Sequence, residues 1–188
     1  RLDRVTNASG VIRELDFADI QTARVAGREP IPLLADLIAA FPDTRFNIDL
    51  KADNTVQPFL ALIQHLRCQD RLCVGSFSHE RVLAVRAAFP GICTSLTPKE
   101  VFWARLRSFH IPTFKIEGDC AQVPERSGNI PLVDPRFLTS ARKLGIQTHV
   151  WTINEAQDMR RLSNLGVEGL MTDDASALKH VLQDLGRW

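Results

Sequence analysis

Strand-like and helix-like segments alternate about six times along this chain of 188 residues, with short loops between them. Strands joined by helical crossovers run parallel, and right-handed crossovers place the helices over the sheet. The spacing predicts strands over 45–51, 71–77, 92–96, 147–153 and 167–172. Helices are predicted over 54–69, 81–89, 98–109, 135–144, 155–165 and 175–185. Ser78, Thr97 and Asn154 stand where N-caps belong, and Pro98 and Pro135 at first helical positions. Gly145 and Gly166 follow helix ends. Pro30-Ile31-Pro32 leads into a further helix through Phe41, ended by Pro42-Asp43. Within the loop-rich region 111–133, segments 114–116 and 120–123 each have the composition of a short strand. Residues 1–29 are polar and lack clear periodicity, and Asn7-Ala8-Ser9-Gly10 is their turn signal.

A parallel sheet stays open or closes. The open dinucleotide-binding type carries a Gly-rich loop after its first strand, and none occurs here. A closed eight-stranded barrel usually takes ~250 residues, so this chain is about one quarter short, roughly two βα units. Its first clear strand is also preceded by a helix, as though earlier units were absent. The expectation is an α/β fold, a TIM (β/α)8 barrel incomplete at the N-terminus, with about six βα units forming one domain over 1–188.

Charge and composition exclude several functions. With 23 basic and 22 acidic residues, the net charge of +1 offers no basic surface for nucleic acid. No apolar run approaches the ~20 residues that span a bilayer. The chain opens on Arg1-Leu2-Asp3-Arg4, with neither Met nor a signal peptide. Cys68, Cys73, Cys93 and Cys120 show no CxxC pairing and no metal-ligand spacing with His. Each lies in or beside an apolar segment, so they read as buried reduced thiols, which fits a cytoplasmic protein. Oligomeric state is not legible.

The stretch Arg45-Phe46-Asn47-Ile48-Asp49-Leu50-Lys51 holds the clearest chemistry. Alternation puts Phe46, Ile48 and Leu50 on one face, and Asn47, Asp49 and Lys51 on the other. Flanking helices make this an inner strand, where charged side chains need partners or a ligand. The carboxyl end of a barrel strand is where active sites collect.

Five segments carry a family resemblance. Leu2-Asp3-Arg4-Val5-Thr6-Asn7-Ala8-Ser9-Gly10 resembles the segment after the His-Asp pair of glycerophosphodiester phosphodiesterases. Phe46-Asn47-Ile48-Asp49-Leu50-Lys51 is similar to that family's Glu-Ile-Lys strand, with Asp for the commoner Glu. Ser76-Phe77 resembles its Ser-Phe strand end, and Val150-Trp151-Thr152-Ile153-Asn154 its Trp-Thr-Val-Asn strand. Gly166-Val167-Glu168-Gly169-Leu170-Met171-Thr172-Asp173 resembles its Gly-Val-Asp-Gly-Ile-x-Thr-Asp signature. The order is right and spans essentially the whole chain.

The resemblance implies a TIM barrel of the phospholipase-C-like phosphodiesterase type, and an enzyme that hydrolyses glycerophosphodiesters to glycerol 3-phosphate and an alcohol. It implies a divalent cation, Ca2+ or Mg2+, held by carboxylates, with two histidines as general acid and base. Asp49 matches the third metal-ligand carboxylate, one carbon shorter than Glu. Lys51 matches the cation that meets the phosphate. Trp151 matches the aromatic lining the glycerol pocket, with Phe77 a second wall, and Gln122 lines the pocket by analogy alone. The family's His-Arg-Gly, Glu-x-Asp and His-Asp motifs all precede the point matched by Arg1. No catalytic residue therefore falls in this chain, and the 188 residues alone are expected to be inactive. His65, His79, His110 and His180 offer no replacement, and His149 reads as a core histidine.

Other readings stay open. Asp49 and Lys51 could form a structural ion pair, Trp151 could be core packing, and Thr172-Asp173 could be a turn and cap. A non-catalytic barrel relative that binds phosphodiesters or a partner protein is the alternative function; its open sheet edges would favour pairing or aggregation. A Schiff-base role for Lys51 ranks last, because Asp49 would keep the amine charged.

Overall fold

Six parallel strands, each leading to a helix, are present in the computed structural model, which describes residues 1–188. The chain forms two compact units, Arg1–Thr44 and Arg45–Trp188. In the first, helix α1 (Phe17–Thr22) precedes a hairpin of β1 (Arg24–Val25) and β2 (Glu29–Pro30), followed by α2 (Leu34–Ala40). The Asn7–Gly10 turn is closed by Leu2 N donating to Gly10 O at 2.9 Å. Asn7 Oδ1 accepts from Arg24 N at 2.7 Å, tying that turn to the hairpin. Neither α1 nor the hairpin was expected, because elements this short contain too few residues to show a period.

The second unit holds the repeat. Strand β3 (Phe46–Asp49) leads to α3 (Val56–Leu66), β4 (Leu72–Gly75) to α4 (His79–Ala88), and β5 (Cys93–Thr94) to α5 (Pro98–Arg107). Strand β6 (Cys120–Pro124) is followed by a small hairpin, β7 (Arg126–Ser127) and β8 (Ile130–Pro131), then by α6 (Pro135–Lys143). Strand β9 (Gln147–Trp151), α7 (Ala156–Leu165), β10 (Gly169–Leu170) and α8 (Ala175–Asp184) complete the chain. Strands β3-β4-β5 form one sheet and β6-β9-β10 another, bridged at Ser95–Cys120, so spatial order follows chain order. The architecture is TIM-barrel-like, and these strands do not close into a ring.

Local chemistry explains most element ends. Thr97 and Glu100 form a reciprocal capping box at α5, with Pro98 at its first position. Ser78 Oγ accepts from Arg81 N at α4, and Asp134 Oδ1 from Phe137 N at α6. Gly166 ends α7 at φ +95°, a conformation that favours glycine. Segment 114–116 is loop rather than strand. Asn154 does not cap α7; Glu155 occupies that position, without a side-chain cap bond.

The two faces of the strands differ. Ala121, Val123 and Val150 face the helices and pack with Phe137, Leu138, Met159, Leu162 and Val181 in one apolar core. Each large side chain buried there contributes about 1.5–3 kcal/mol. The opposite face carries Asn47, Cys73 and Cys93 in register, then Gln122, His149 and Gly169. It is polar, sulfur-bearing and small. No helix is long and apolar enough to cross a membrane.

Candidate active site

The carboxyl end of β3 is fixed from below. Leu50 is buried, and its N–H donates to Gly75 O at 2.9 Å. Its carbonyl accepts from Ser76 Oγ at 2.7 Å and from Arg81 Nη1 at 3.0 Å. Arg81 Nε also donates to Asp53 Oδ1 at 2.6 Å, so the turn after β3 is clamped to the start of α4. Asp49 and Lys51 therefore project on the polar face from a rigid backbone, and they form an ion pair with each other. The pair is not buried as the strand pattern suggested: the Lys51 side chain is 73% exposed and that of Asp49 36%.

Two aromatic residues stand beside it. Phe77 follows β4 and Trp151 ends β9, their ring centroids 6.3 Å apart in an edge-on arrangement. Lys51 Nζ lies 5.7 Å from the Phe77 centroid. Gln122, on β6, donates through Nε2 to Asn47 Oδ1 at 2.9 Å, which leaves its Oε1 as an acceptor. Gly75 keeps the floor clear, since a Cβ there would stand 2.7 Å from Ser95 Oγ. Asp49, Lys51, Phe77, Gln122 and Trp151 all line one cavity of about 1090 Å³. All five expected residues are thus brought together.

The cavity also contains residues that sequence reasoning missed or left undecided. Thr172 and Asp173 line it, and Asn154 holds them: Asn154 Nδ2 donates to Asp173 Oδ2 at 3.0 Å, and Thr172 Oγ1 to Asn154 Oδ1 at 3.1 Å. The last helix is capped instead by Asp174, which accepts from Ala177 N at 2.9 Å. Phe102, Phe109 and Ile130 extend the lining as an apolar trough. Nothing in their spacing separates such a lining from ordinary core.

No histidine lines the cavity. His65, His110 and His180 are exposed, and His79 bonds Thr97 Oγ1 at 3.0 Å. His149 packs on Gly169, and burial pushes its pKa below the ordinary value. Glu168 is structural: it accepts from Arg142 Nε at 2.6 Å and from Thr148 N at 2.8 Å. Cys68 is buried apart from the other thiols, and no cysteine is in a disulfide. Hydrogen bonding with Cys120 and Cys73 draws the Cys93 thiol below the ordinary thiol range, against the opposing effect of burial. Cys120 also draws Cys73 down, but Cys93 and burial outweigh it and push that thiol up.

Chemically, the arrangement offers the Lys51 ammonium, the Asp49 and Asp173 carboxylates, an amide acceptor and two aromatic walls. That set suits a small anion with a short polyol attached. A hard divalent cation takes six or more oxygen ligands. Asp49 is paired with Lys51, Asp173 accepts from Asn154, and the one cluster of three ligating side chains in the chain is sulfur. These residues do not by themselves fit such a cation.

Comparison with known proteins gives a consistent pattern. The family model described as glycerophosphoryl diester phosphodiesterase matches residues 1–177 and so spans both units. A probable glycerophosphodiester phosphodiesterase 2 of Mycobacterium tuberculosis is 32% identical over 194 residues, covering all of this chain and 74% of its own length. A glycerophosphodiester phosphodiesterase of Caldanaerobacter subterraneus is 22% identical over 98% of this chain and 78% of its own. Among solved structures, a phosphodiesterase of Oleispira antarctica in complex with the product sn-glycerol-3-phosphate superposes with a TM-score of 0.74 at 18% identity, covering 96% of this chain and 76% of that one.

Proposed function

The chain belongs to the glycerophosphoryl diester phosphodiesterase family, and on that premise we propose that its cavity takes the glycerophosphate half of a glycerophosphodiester. The family's reaction is phosphoric diester hydrolysis, which here would release glycerol 3-phosphate and an alcohol. The observation that carries the reading is the convergence of Asp49, Lys51, Phe77, Gln122 and Trp151 on one cavity from four neighbouring strands or the turns that follow them. Support for the ligand comes from the Oleispira relative, whose structure holds sn-glycerol-3-phosphate. Family membership favours this hydrolase over a non-catalytic barrel relative.

Each residue has a role its chemistry allows. The Lys51 ammonium has three donors, of which Asp49 takes one, leaving others for phosphate oxygens. Phe77 and Trp151 exclude water and pack against the carbon chain of glycerol. Gln122 Oε1 accepts from a glycerol hydroxyl, since its Nε2 is held by Asn47. Asp49 would supply one oxygen to a divalent cation, Ca2+ or Mg2+.

Isothermal titration of the 188-residue chain with sn-glycerol 3-phosphate tests the reading. One site is expected, and Lys51→Ala should weaken it. An affinity unchanged by Lys51→Ala would remove that ammonium from the phosphate and overturn the assignment.

A further inference from the structure

Strands β4, β5 and β6 each place a cysteine on the polar face. Cys73 and Cys93 are direct register partners, and Cys120 joins them through the bridge between β5 and β6. The three Sγ atoms all lie within 4.8 Å of one another, with Cys73 and Cys120 at 3.5 Å. The residues are 20 and 27 positions apart along the chain, and sheet hydrogen bonding alone brings them together. Their surroundings are not those of an apolar core. Gln122 Nε2 lies 3.6 Å from Cys73 Sγ, and the next residue on that face of β3 is the amide Asn47.

We propose that Cys73, Cys93 and Cys120 form a three-thiolate site for a soft d10 metal ion, Zn2+ being the case to test. Zinc–sulfur bonds of about 2.3 Å put ligand sulfurs roughly 4 Å apart, so closing this set needs movements of under about 1 Å. Three rigid strands supply that preorganisation, because each Cβ is held by backbone pairing on one or both sides. The half-buried state of Cys73 and Cys93 leaves a fourth position open to water, as in zinc sites that keep one exchangeable ligand. Sulfur selects this class of ion, whereas Ca2+ and Mg2+ require oxygen. Any thiol still protonated gives its proton to solvent on binding, so no oxidant or reductant is involved. The site lies beside the cavity residue Gln122, on the inner face below the mouth marked by Asp49 and Lys51. It is independent of the phosphodiester reading.

The test is anaerobic titration of the reduced, metal-free 188-residue chain with Zn2+ against a chromophoric chelator. One ion per chain is expected. Cys73→Ser, Cys93→Ser and Cys120→Ser should each lower the affinity by about 100-fold or more. Cys68→Ser, at a buried thiol outside the cluster, should leave it unchanged. Cd2+ is a second probe on the unaltered chain, where ultraviolet thiolate-to-metal absorption should correspond to three sulfurs; that reading stands even if a serine variant fails to fold. Absence of stoichiometric binding, Cd2+ absorption of one thiolate or none, or full affinity in a folded Cys93→Ser variant overturns the site.

Discussion

Lys51 and Phe77 separate binding from folding at the scale of single residues. Both are largely exposed, and neither belongs to the apolar core. Their removal should change stability by no more than about 0.5 kcal/mol. Lys51→Ala loses a charge-assisted contact worth about 1.5–3 kcal/mol, so the Kd for glycerol 3-phosphate should rise about 10- to 100-fold. Phe77→Ala removes one wall and should weaken binding by about 3- to 10-fold. Calorimetry and thermal melting on the same preparations check both halves. Gly169 makes the opposite case. A Cβ there would stand 2.7 Å from His149 Cδ2 and 3.1 Å from Cγ, close to the root of a half-buried ring. Gly169→Ala is expected to destabilise by about 1–3 kcal/mol, seen as a lowered Tm, with ligand affinity little changed because neither residue lines the cavity.

Among the elements, α4 and α5 are tied to β5 by one buried ion pair. Arg86 makes a two-pronged contact with Glu100, at 2.8 and 3.2 Å, and also donates to Thr94 Oγ1 at 2.9 Å. Glu100 accepts further from Thr97 N at 2.8 Å and Glu117 N at 3.1 Å. Burial pushes the Glu100 carboxyl up, but Arg86 and these N–H donors outweigh it and hold its pKa below the ordinary value. Because the folded pKa is depressed, this contribution is complete above the unfolded carboxylate value of about 4.3 and fades as pH falls through the folded one. Tm should hold steady from neutral pH down to about pH 5 and then drop. In Glu100→Gln the acid drop should be shallower and the neutral-pH stability lower by about 3–5 kcal/mol. These same elements show what was legible beforehand. Thr97-Pro98 and Asp134-Pro135 announce their helices because a cap acts within one turn. Asn154 misled by one position, since its side chain serves Thr172 and Asp173 across the sheet, a contact no local rule contains. The cysteine cluster was invisible for the same reason: register, not spacing, joins Cys73, Cys93 and Cys120.

At the scale of the whole molecule, the alternation of strands and helices was readable because each unit repeats, whereas the short elements of residues 1–44 repeat nothing. Asp49, Lys51, Phe77 and Trp151 were readable because each stands at or just beyond a strand end and falls in a family-like motif, whereas Gln122, inside β6, was reached by analogy alone. What converges here offers groups for binding an anion, but its inventory for proton transfer is thin. Hydrolysis of a phosphodiester needs an acid for the leaving oxygen and a base for the nucleophile, and histidine is the side chain that changes charge near neutrality. None of the five histidines lines the cavity. Asp49 is paired with Lys51, and Asp173 accepts from Asn154, so each carboxylate in the cavity already has a partner. A polypeptide of these 188 residues is therefore expected to bind glycerol 3-phosphate yet release none from a glycerophosphodiester, with or without added Ca2+ or Mg2+. A coupled assay for glycerol 3-phosphate, run beside the binding titration, distinguishes the outcomes. Binding without turnover fits the inventory described; turnover that survives in Asp49→Asn but disappears in a histidine variant would mean that a histidine outside the cavity reaches the substrate.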